Sequence, residues 1–505
     1  MDIINALLTV IQPLNLLMIL IGVVFGMIFG IIPGLNTPIA MAMALPFLFY
    51  LGTIPTICVL FGIYMGGVTG GLVTAILLKI PGTAASVATT FDGYPMAMKG
   101  QALDALRIGT FSSFFGGIFS MVVLLFLTPL LSRLALGFGP WEIFGTAVFA
   151  LSLVCAMLEQ EMLKGFISVG IGLLVTTVGM SPIDGIAKRF SFGNVNLENG
   201  FNLIAIVIGV FALPEILYTV GNLKSGAIHA AKVEKKLFYM LPFKQIKKYF
   251  WTLVRGSIIG TFIGIMPGLG GGPAGLITYA QEKKFSKHPE EFGKGTGYGV
   301  AASEVANNAE AGGALIPMLA LSIPGNTSTA IILAAFTMQG LITGPLLSIR
   351  QPEMYRIIIL VAFIANIFMF VVQAGTIRYH VKILQVPRYF LMPMITATCI
   401  TGVLCINNNI FDMYYTLGFL ILGYILAKNK YPIPGLILGV VLGDIIEENL
   451  RRSISYYGSF KGSFMTMSAG SYLVALAVII PIVYIVKTLL DRRKHKQAKE
   501  SPLED

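Results

Sequence analysis

The stretch Ile80-Pro81-Gly82-Thr83-Ala84-Ala85-Ser86 breaks a long apolar run. Helix-like hydrophobic sequence leads into it from Pro55. Pro81 and Gly82 stop a helix there, because proline lacks the backbone donor and glycine tolerates almost any φ. Small polar residues, Thr83 and Ser86, follow the break. A near copy, Ile323-Pro324-Gly325-Asn326-Thr327-Ser328-Thr329, starts 243 residues after Ile80. An uncharged polar break within apolar sequence, present twice, decides how the rest of the chain is read.

Around these breaks the chain is a membrane sequence. Of its 505 residues, 56% are hydrophobic and 12% charged, against about 25% charged in soluble proteins. Apolar runs such as Leu14–Ile32, Phe114–Leu131 and Ile357–Val372 recur throughout, and a spanning helix needs about 20 apolar residues. The expected fold class is all-α and polytopic, with about twelve to fourteen hydrophobic segments, some of them broken or re-entrant.

The net charge of +11 collects in two places, Lys224–Lys248 and the tail Lys487–Lys499. This follows the positive-inside rule and places both in the cytoplasm, rather than marking a nucleic-acid surface. Cys58, Cys155, Cys399 and Cys405 lie in apolar surroundings without metal-type spacing. Met1–Pro13 has no basic n-region, so the first segment reads as a retained membrane helix. The four histidines are scattered, and no HExxH or phosphate-loop motif occurs. An enzyme is not expected, nor is a cofactor or a structural metal.

The first apolar run carries Gly22, Gly26, Gly30, Pro33, Gly34 and Leu35. Gly256, Gly260, Gly264, Pro267, Gly268 and Leu269 each lie 234 residues later. Small residues four apart let membrane helices approach closely. Six positions in one register, with a helix-breaking Pro-Gly pair among them, mark an internal repeat. The chain divides into membrane repeat one (1–225), a basic linker (226–249), membrane repeat two (250–460), a C-terminal membrane helix (461–490) and a basic tail (491–505). Repeat two is entered from the basic linker, and its insertion carries Lys283, Lys284, Lys287 and Lys294. The entry to repeat one has no Lys or Arg. The repeats are therefore expected to be inverted, a construction used by secondary transporters.

The breaks Pro33-Gly34, Pro81-Gly82, Pro267-Gly268 and Pro324-Gly325 carry the expected chemistry. Non-helical backbone at membrane depth survives only packed in protein or lining a wet cavity. Half-helix N-termini offer N–H groups and partial positive charge to a carboxylate, and freed carbonyls can hold Na⁺. Thr83, Ser86, Asn326, Thr327 and Ser328, with Gly82 and Gly325, are the expected substrate-binding residues, and Asn36 helps shape the site. Gly270-Gly271-Gly272 leaves only backbone to approach a ligand. Asn307, Asn308 and Asp92 are the candidate cation ligands; Glu310, with Asn307 and Asn308, is a better ligand or structural candidate than Glu304. Lys79 either attracts a carboxylate or snorkels to the interface. Asp444, Glu447, Glu448, Arg451 and Arg452 read as a surface charge cluster.

Gly66-Gly67-Val68-Thr69-Gly70-Gly71, Ile80–Ser86 and Phe91-Asp92-Gly93-Tyr94-Pro95 resemble the signature of the large TctA-type membrane subunit of tripartite tricarboxylate transporters. So do Gly264–Gly272, Tyr298–Thr329, Arg189-Phe190-Ser191-Phe192-Gly193 and Gly439–Ser453. The resemblance covers nearly the whole chain. It implies a multi-pass permease subunit of a bacterial inner membrane. Its partners would be a small membrane subunit and a periplasmic solute-binding protein. It also implies ion-driven import of organic carboxylates, with Na⁺ or H⁺ as coupling ion. Asn36-Thr37 and Asp444-Ile445-Ile446-Glu447 depart from the family pattern and argue against naming citrate. A channel or a passive membrane scaffold in a larger complex is the alternative.

Overall fold

The structure, a computed structural model, describes residues 3–32, 35–156, 162–181, 186–214, 216–217, 240–268, 270–383, 388–407 and 409–483. Most of the basic linker, the tail 491–505 and the pair Pro33-Gly34 lie outside the described residues. The chain is helical: α1 Ile3–Val10, α2 Pro13–Ile31, α3 Thr37–Leu48, α4 Thr53–Leu78, α5 Thr89–Met98, α6 Ala102–Ala135, α7 Pro140–Ala156, α8 Met162–Thr176 and α9 Leu203–Val207. These are followed by α10 Phe243–Ile265, α11 Gly271–Phe285, α12 Gly297–Leu321, α13 Thr327–Met338, α14 Pro352–Ile383, α15 Arg388–Asn407, α16 Ile410–Lys428, α17 Ile433–Tyr457 and α18 Ala469–Val483. One two-stranded ribbon pairs β1 (Gly179–Met180) with β2 (Lys188–Arg189).

Among the described residues, five helices are long and apolar enough to cross a membrane: α2, α4, α6, α14 through Ile377, and α16. Seven shorter apolar helices accompany them among those residues. Pro-Gly breaks account for part of the shortening, because α3 and α13 both start just after one. Outward faces carry large apolar side chains, including Leu14, Leu17 and Ile21 on α2 and Phe126, Leu130 and Leu134 on α6. That is the surface a helix presents to hydrocarbon.

The contacts repeat with the same spacing as the glycines. In lipid, helices associate by close packing rather than by exclusion from water, so small residues decide where backbones can touch. A Cβ on Gly26 of α2 would stand 2.3 Å from the Ile63 carbonyl oxygen of α4, and one on Gly260 of α10 would stand 2.3 Å from that of Ala306 of α12. Gly30 meets the Gly67 carbonyl and Gly264 the Glu310 carbonyl, again at 2.3 Å in both halves. Each glycine-striped helix thus lies along one long buried helix, α2 on α4 and α10 on α12. The next long helix crosses over: α6 packs on α12, and α14 on α4.

The chain folds into two compact units whose limits differ from the repeat limits: 1–136 with 201–429, and 137–200 with 430–505. Both broken-helix regions belong to the first unit. Within the second, Gly172 of α8 crosses Gly439 of α17, and Trp141 donates to Ser471 Oγ at 3.0 Å. Arg189 of β2 pairs with Glu447, which also holds Arg451 at 2.8 Å. Part of the expected charge cluster is therefore a half-buried ion-pair network joining two distant stretches of chain.

A candidate carboxylate and cation site at the crossed breaks

Each break is closed by its own side chains. Asn36 caps α3 by accepting from Ile39 N at 3.1 Å. Thr83 N donates to Ser86 Oγ at 3.2 Å, and Ser86 Oγ donates to the Thr83 carbonyl at 2.9 Å. Asn326 N donates to Thr329 Oγ1 at 2.9 Å, and Asn326 Oδ1 accepts from Thr329 N at 3.0 Å. The second breaks thus carry the same capping box 243 residues apart. Such a box ties up the N-cap and N3 groups and leaves the next donors of the helix start open. Those donors are the N–H groups of Ala84 and Ala85 at one break and of Thr327 and Ser328 at the other.

The backbone before these breaks is matched as well. Lys79 ends α4 at φ 59° and Ser322 ends α12 at φ 58°, both left-handed. Gly82 has no room for a side chain, since its Cβ would fall 2.3 Å from the Gly30 carbonyl oxygen. A Cβ on Gly325 would fall 2.6 Å from Ala314 Cα. Gly268 N donates to the Gly325 carbonyl at 2.6 Å, which joins the two breaks of repeat two directly. Gly82 and Gly325 therefore let main chains pass and bring the flanking N–H groups to the site.

One break of each half meets the other: the start of α11 packs on the turn Ala84–Ser86. α13 packs on α3, with Gln339 past the end of α13 donating to the Leu48 carbonyl at 3.4 Å. Among the described residues, no hydrogen bond joins Thr83 or Ser86 to Asn326, Thr327 or Ser328. Glu310 reaches toward both arms. Its Oε1 accepts from Asn326 Nδ2 at 3.0 Å. Its Oε2 lies 3.5 Å from where a Cβ on Gly271 would stand, a point 2.6 Å from Ala85 Cβ. Asn326 Nδ2 also donates to Tyr64 Oη at 2.8 Å, and Tyr64 donates to the Ala311 carbonyl at 3.1 Å.

The acids and amides expected to hold a cation separate into three environments. Asp92 is fully buried and saturated by donors. Its Oδ1 accepts from the N–H groups of Gly293, Gly295 and Thr296 at 2.9, 2.7 and 3.0 Å, and its Oδ2 from Tyr279 Oη at 2.9 Å. These bonds latch the loop of the repeat-two insertion to α5. Glu304 accepts from Thr89 Oγ1 and from Ser113 Oγ at 3.1 Å. Asn308 is engaged at both ends, accepting from Thr69 Oγ1 at 2.8 Å and donating to the Glu304 carbonyl at 3.4 Å. Asn307 differs: it is fully buried, and neither its Nδ2 nor its Oδ1 closes a hydrogen bond. Lys79 is exposed at the end of α4 with its ammonium over the Tyr94 ring, 5.8 Å from the centroid.

Asn36, Thr83, Asn326, Thr327 and Gly270–Gly272 are half-buried, whereas α4 and α12 beside them are buried along nearly their whole length. These polar helix starts thus lie at partly accessible positions. Sequence reasoning noticed Glu310 but did not place it in the site. The signal was that it is an acid without a counterpart in repeat one, where Gly67 stands 243 residues earlier.

A family model described as "Tripartite tricarboxylate transporter TctA family" matches residues 16–438. An "uncharacterized 52.8 kDa protein in TAR-I ttuC' 3'region" of Agrobacterium vitis is 34% identical over 485 residues, covering 96% of each chain. A second protein of that organism, described as lying in the TAR-II ttuC' 3'region, is 36% identical over 234 residues, which is 46% of this chain and 97% of its own. No solved structure matches. The glycine register, the paired breaks and the match along nearly the whole chain agree: this protein is a multi-pass membrane protein belonging to the tripartite tricarboxylate transporter TctA family.

Proposed function

We propose that this chain is the permease subunit of a secondary transporter importing organic di- or tricarboxylates across a bacterial inner membrane. A periplasmic binding protein delivers the substrate, a small membrane subunit completes the complex, and a cation gradient drives uptake. The observation that carries this reading is the pair of capped helix starts at Thr83–Ser86 and Asn326–Ser328. A helix start with open N–H groups is an anion seat, and it costs least to build where no lipid reaches it. The open donors of Ala84, Ala85, Thr327 and Ser328, with the Thr327 hydroxyl, take the carboxylate oxygens. Thr83, Ser86 and Asn326 hold those donors in place, and Asn36 closes the side of the seat on α3. The two repeats run in opposite directions across the bilayer, with the basic linker and tail in the cytoplasm, so the seats open alternately to the two sides.

The test is carboxylate counterflow in liposomes carrying the permease with its two partner subunits. Wild-type protein is expected to exchange labelled carboxylate, and Thr83→Ala with Asn326→Ala is expected to reduce exchange at least tenfold while membrane insertion persists. No exchange by the wild-type complex under Na⁺ or H⁺ gradients contradicts transport. Undiminished exchange by the double variant contradicts the seat.

A further inference from the structure

The short helices leave the middle of α4 in opposite directions. Thr37, at the start of α3, sits on Gly67 of α4, and at the end of α3 the Leu48 carbonyl accepts from Thr56 Oγ1 at 2.9 Å. α13 keeps the same course, with Asn326 at Tyr64 and Gln339 at Thr56. Thr83 and Ser86 sit on Gly71, and Gly93 of α5 sits on Ile76. α11 runs beside α5: Gly271 meets Ala85, Gly275 meets Ala88 and Tyr279 meets Asp92. α3 and α13 therefore point to the start of α4, and α5 and α11 to its end. α4 has 26 residues and is long and apolar enough to cross a membrane, so the two pairs finish toward opposite faces.

In each pair the helix after the second break of one repeat is tied to the loop after the first short helix of the other. Asp92 of α5 holds the loop after α11 through the N–H groups of Gly293, Gly295 and Thr296, and Lys99 adds a bond to the Lys294 carbonyl at 2.6 Å. Gln339, past the end of α13, holds the loop after α3. Its Nε2 faces the Leu48 and Leu51 carbonyls and Thr56 Oγ1 at 3.4, 3.3 and 3.4 Å, and its Oε1 accepts from Thr53 Oγ1 at 3.4 Å. The ties are unequal. A carboxylate bonded by N–H groups within 3.0 Å makes charge-assisted bonds, about twice as strong as neutral ones. A neutral amide at 3.3 Å or more lies beyond the usual range. The loop that Asp92 holds also walls a cavity of about 560 Å³, lined by Lys99, Lys248, Tyr249 and Lys294 among others. Ala88, one turn from Asp92 toward the seat, is buried against Tyr279 and Phe292.

We propose that Asp92 and Gln339 are the latches of two gates, one toward each face of the membrane, which govern the side from which the carboxylate seat is reached. A latched pair stays closed on its side of the seat. Releasing the latch lets the loop part from the short helix of the other repeat. Lys99, Lys248 and Lys294 stand at the Asp92 end, whereas residues 48–56 and 339–343 carry no charge. The positive-inside rule then assigns the Asp92 gate to the cytoplasm and the Gln339 gate to the outside. Ala335, 243 residues after Asp92, has no side chain that could make a matching latch, and Gln339 does the work one turn further on. The tight latch is thus the inner one and the loose latch the outer. The resting protein receives from outside and opens inward when Asp92 lets go. That order suits import. The role of the gates on a carboxylate path rests on the transport reading above, whereas the latches themselves do not.

The experiment reads the side from which the seat is reached. Thr83→Cys is placed in the full chain with its native cysteines replaced. Labelling at position 83 by a membrane-impermeant thiol reagent is then timed in sealed right-side-out and inverted vesicles. Asp92→Asn keeps the shape of the side chain and removes its charge. It is expected to speed labelling from the cytoplasmic side at least about threefold and to leave the outer side unchanged. Gln339→Ala is expected to do the reverse, by the smaller factor that its longer bonds imply. A general loosening of the fold would speed both sides alike, and that result overturns the gates, as does no change in either variant. If Asp92→Asn does not insert, a cross-link decides. A Cβ on Gly275 would stand 3.6 Å from Ala88 Cβ, within disulfide reach. Oxidising Ala88→Cys with Gly275→Cys is expected to suppress cytoplasmic labelling at position 83, to spare the outer side and to reverse on reduction. Cytoplasmic labelling that persists through the cross-link overturns the inner gate. Counterflow separates the two claims: one-sided changes without carboxylate exchange remove the transport reading and leave the latches standing, and exchange without one-sided changes does the opposite.

Discussion

The helices α4 and α12 occupy the same place in the two halves, and they differ in what they carry. Both are bracketed by a glycine-striped neighbour, both are buried from end to end, and both finish on a left-handed residue before a Pro-Gly break. Yet α4 is apolar enough to qualify as a membrane span and α12 is not, because α12 buries Glu304, Asn307, Asn308 and Glu310. Where α12 has Asn307 and Glu310, α4 has Tyr64 and Gly67. The backbone frame is fixed by where small residues let helices touch, so the polar load can change in one half without altering the frame. A two-fold scaffold acquires a one-sided site in this way.

That comparison can be broken by moving the load across. Gly67→Glu would put a carboxylate where Thr37 Oγ1 stands 2.6 Å from the Cβ position, with Tyr64 in place of an amide. A buried, uncompensated charge of this kind is expected to cost about 3–5 kcal/mol, seen as a large fall in the unfolding midpoint in detergent. If Gly67→Glu is tolerated at wild-type stability, the two halves differ less at this position than their contacts imply. A smaller effect tests the shared frame. Gly26→Ala and Gly260→Ala each drive a methyl to 2.3 Å from a backbone carbonyl oxygen. Each is expected to cost about 1–3 kcal/mol, and the two costs should agree to within about 1 kcal/mol. A large inequality would mean that one glycine contact carries its half and the other does not.

Much of this was legible in the sequence, because membrane packing writes itself in small residues. The spacing of Gly22, Gly26 and Gly30 and its copy at Gly256, Gly260 and Gly264 marked the helix face that makes the close contact in each half. The Pro-Gly pairs named the breaks, but that Thr83 and Asn326 cap the helix starts was not read from the sequence, which offered both as substrate-binding residues. What the sequence hid was which break meets which. The crossing of α11 onto the Ala84–Ser86 turn is set by tertiary packing between residues about 190 apart and leaves no local pattern. The bonds of Asp92 were hidden for a related reason. Three of its donors are backbone N–H groups of a loop, and backbone donors carry no signature in side-chain chemistry. The division into units that cut across the repeats was equally hidden, since each unit is assembled from two distant stretches of chain.

The central claim is that the crossed breaks form a partly aqueous seat for a carboxylate. Cysteine accessibility at the two arms tests it most directly. The native Cys58, Cys155 and Cys399 are buried, and with Cys405 replaced the background should be silent to a membrane-impermeant thiol reagent. Single Thr83→Cys and Thr327→Cys proteins are expected to react, and to react at least about threefold more slowly when a saturating di- or tricarboxylate is present (occupancy near saturation blocks most encounters). Reaction at neither position, or labelling at both that no carboxylate slows, would contradict the account.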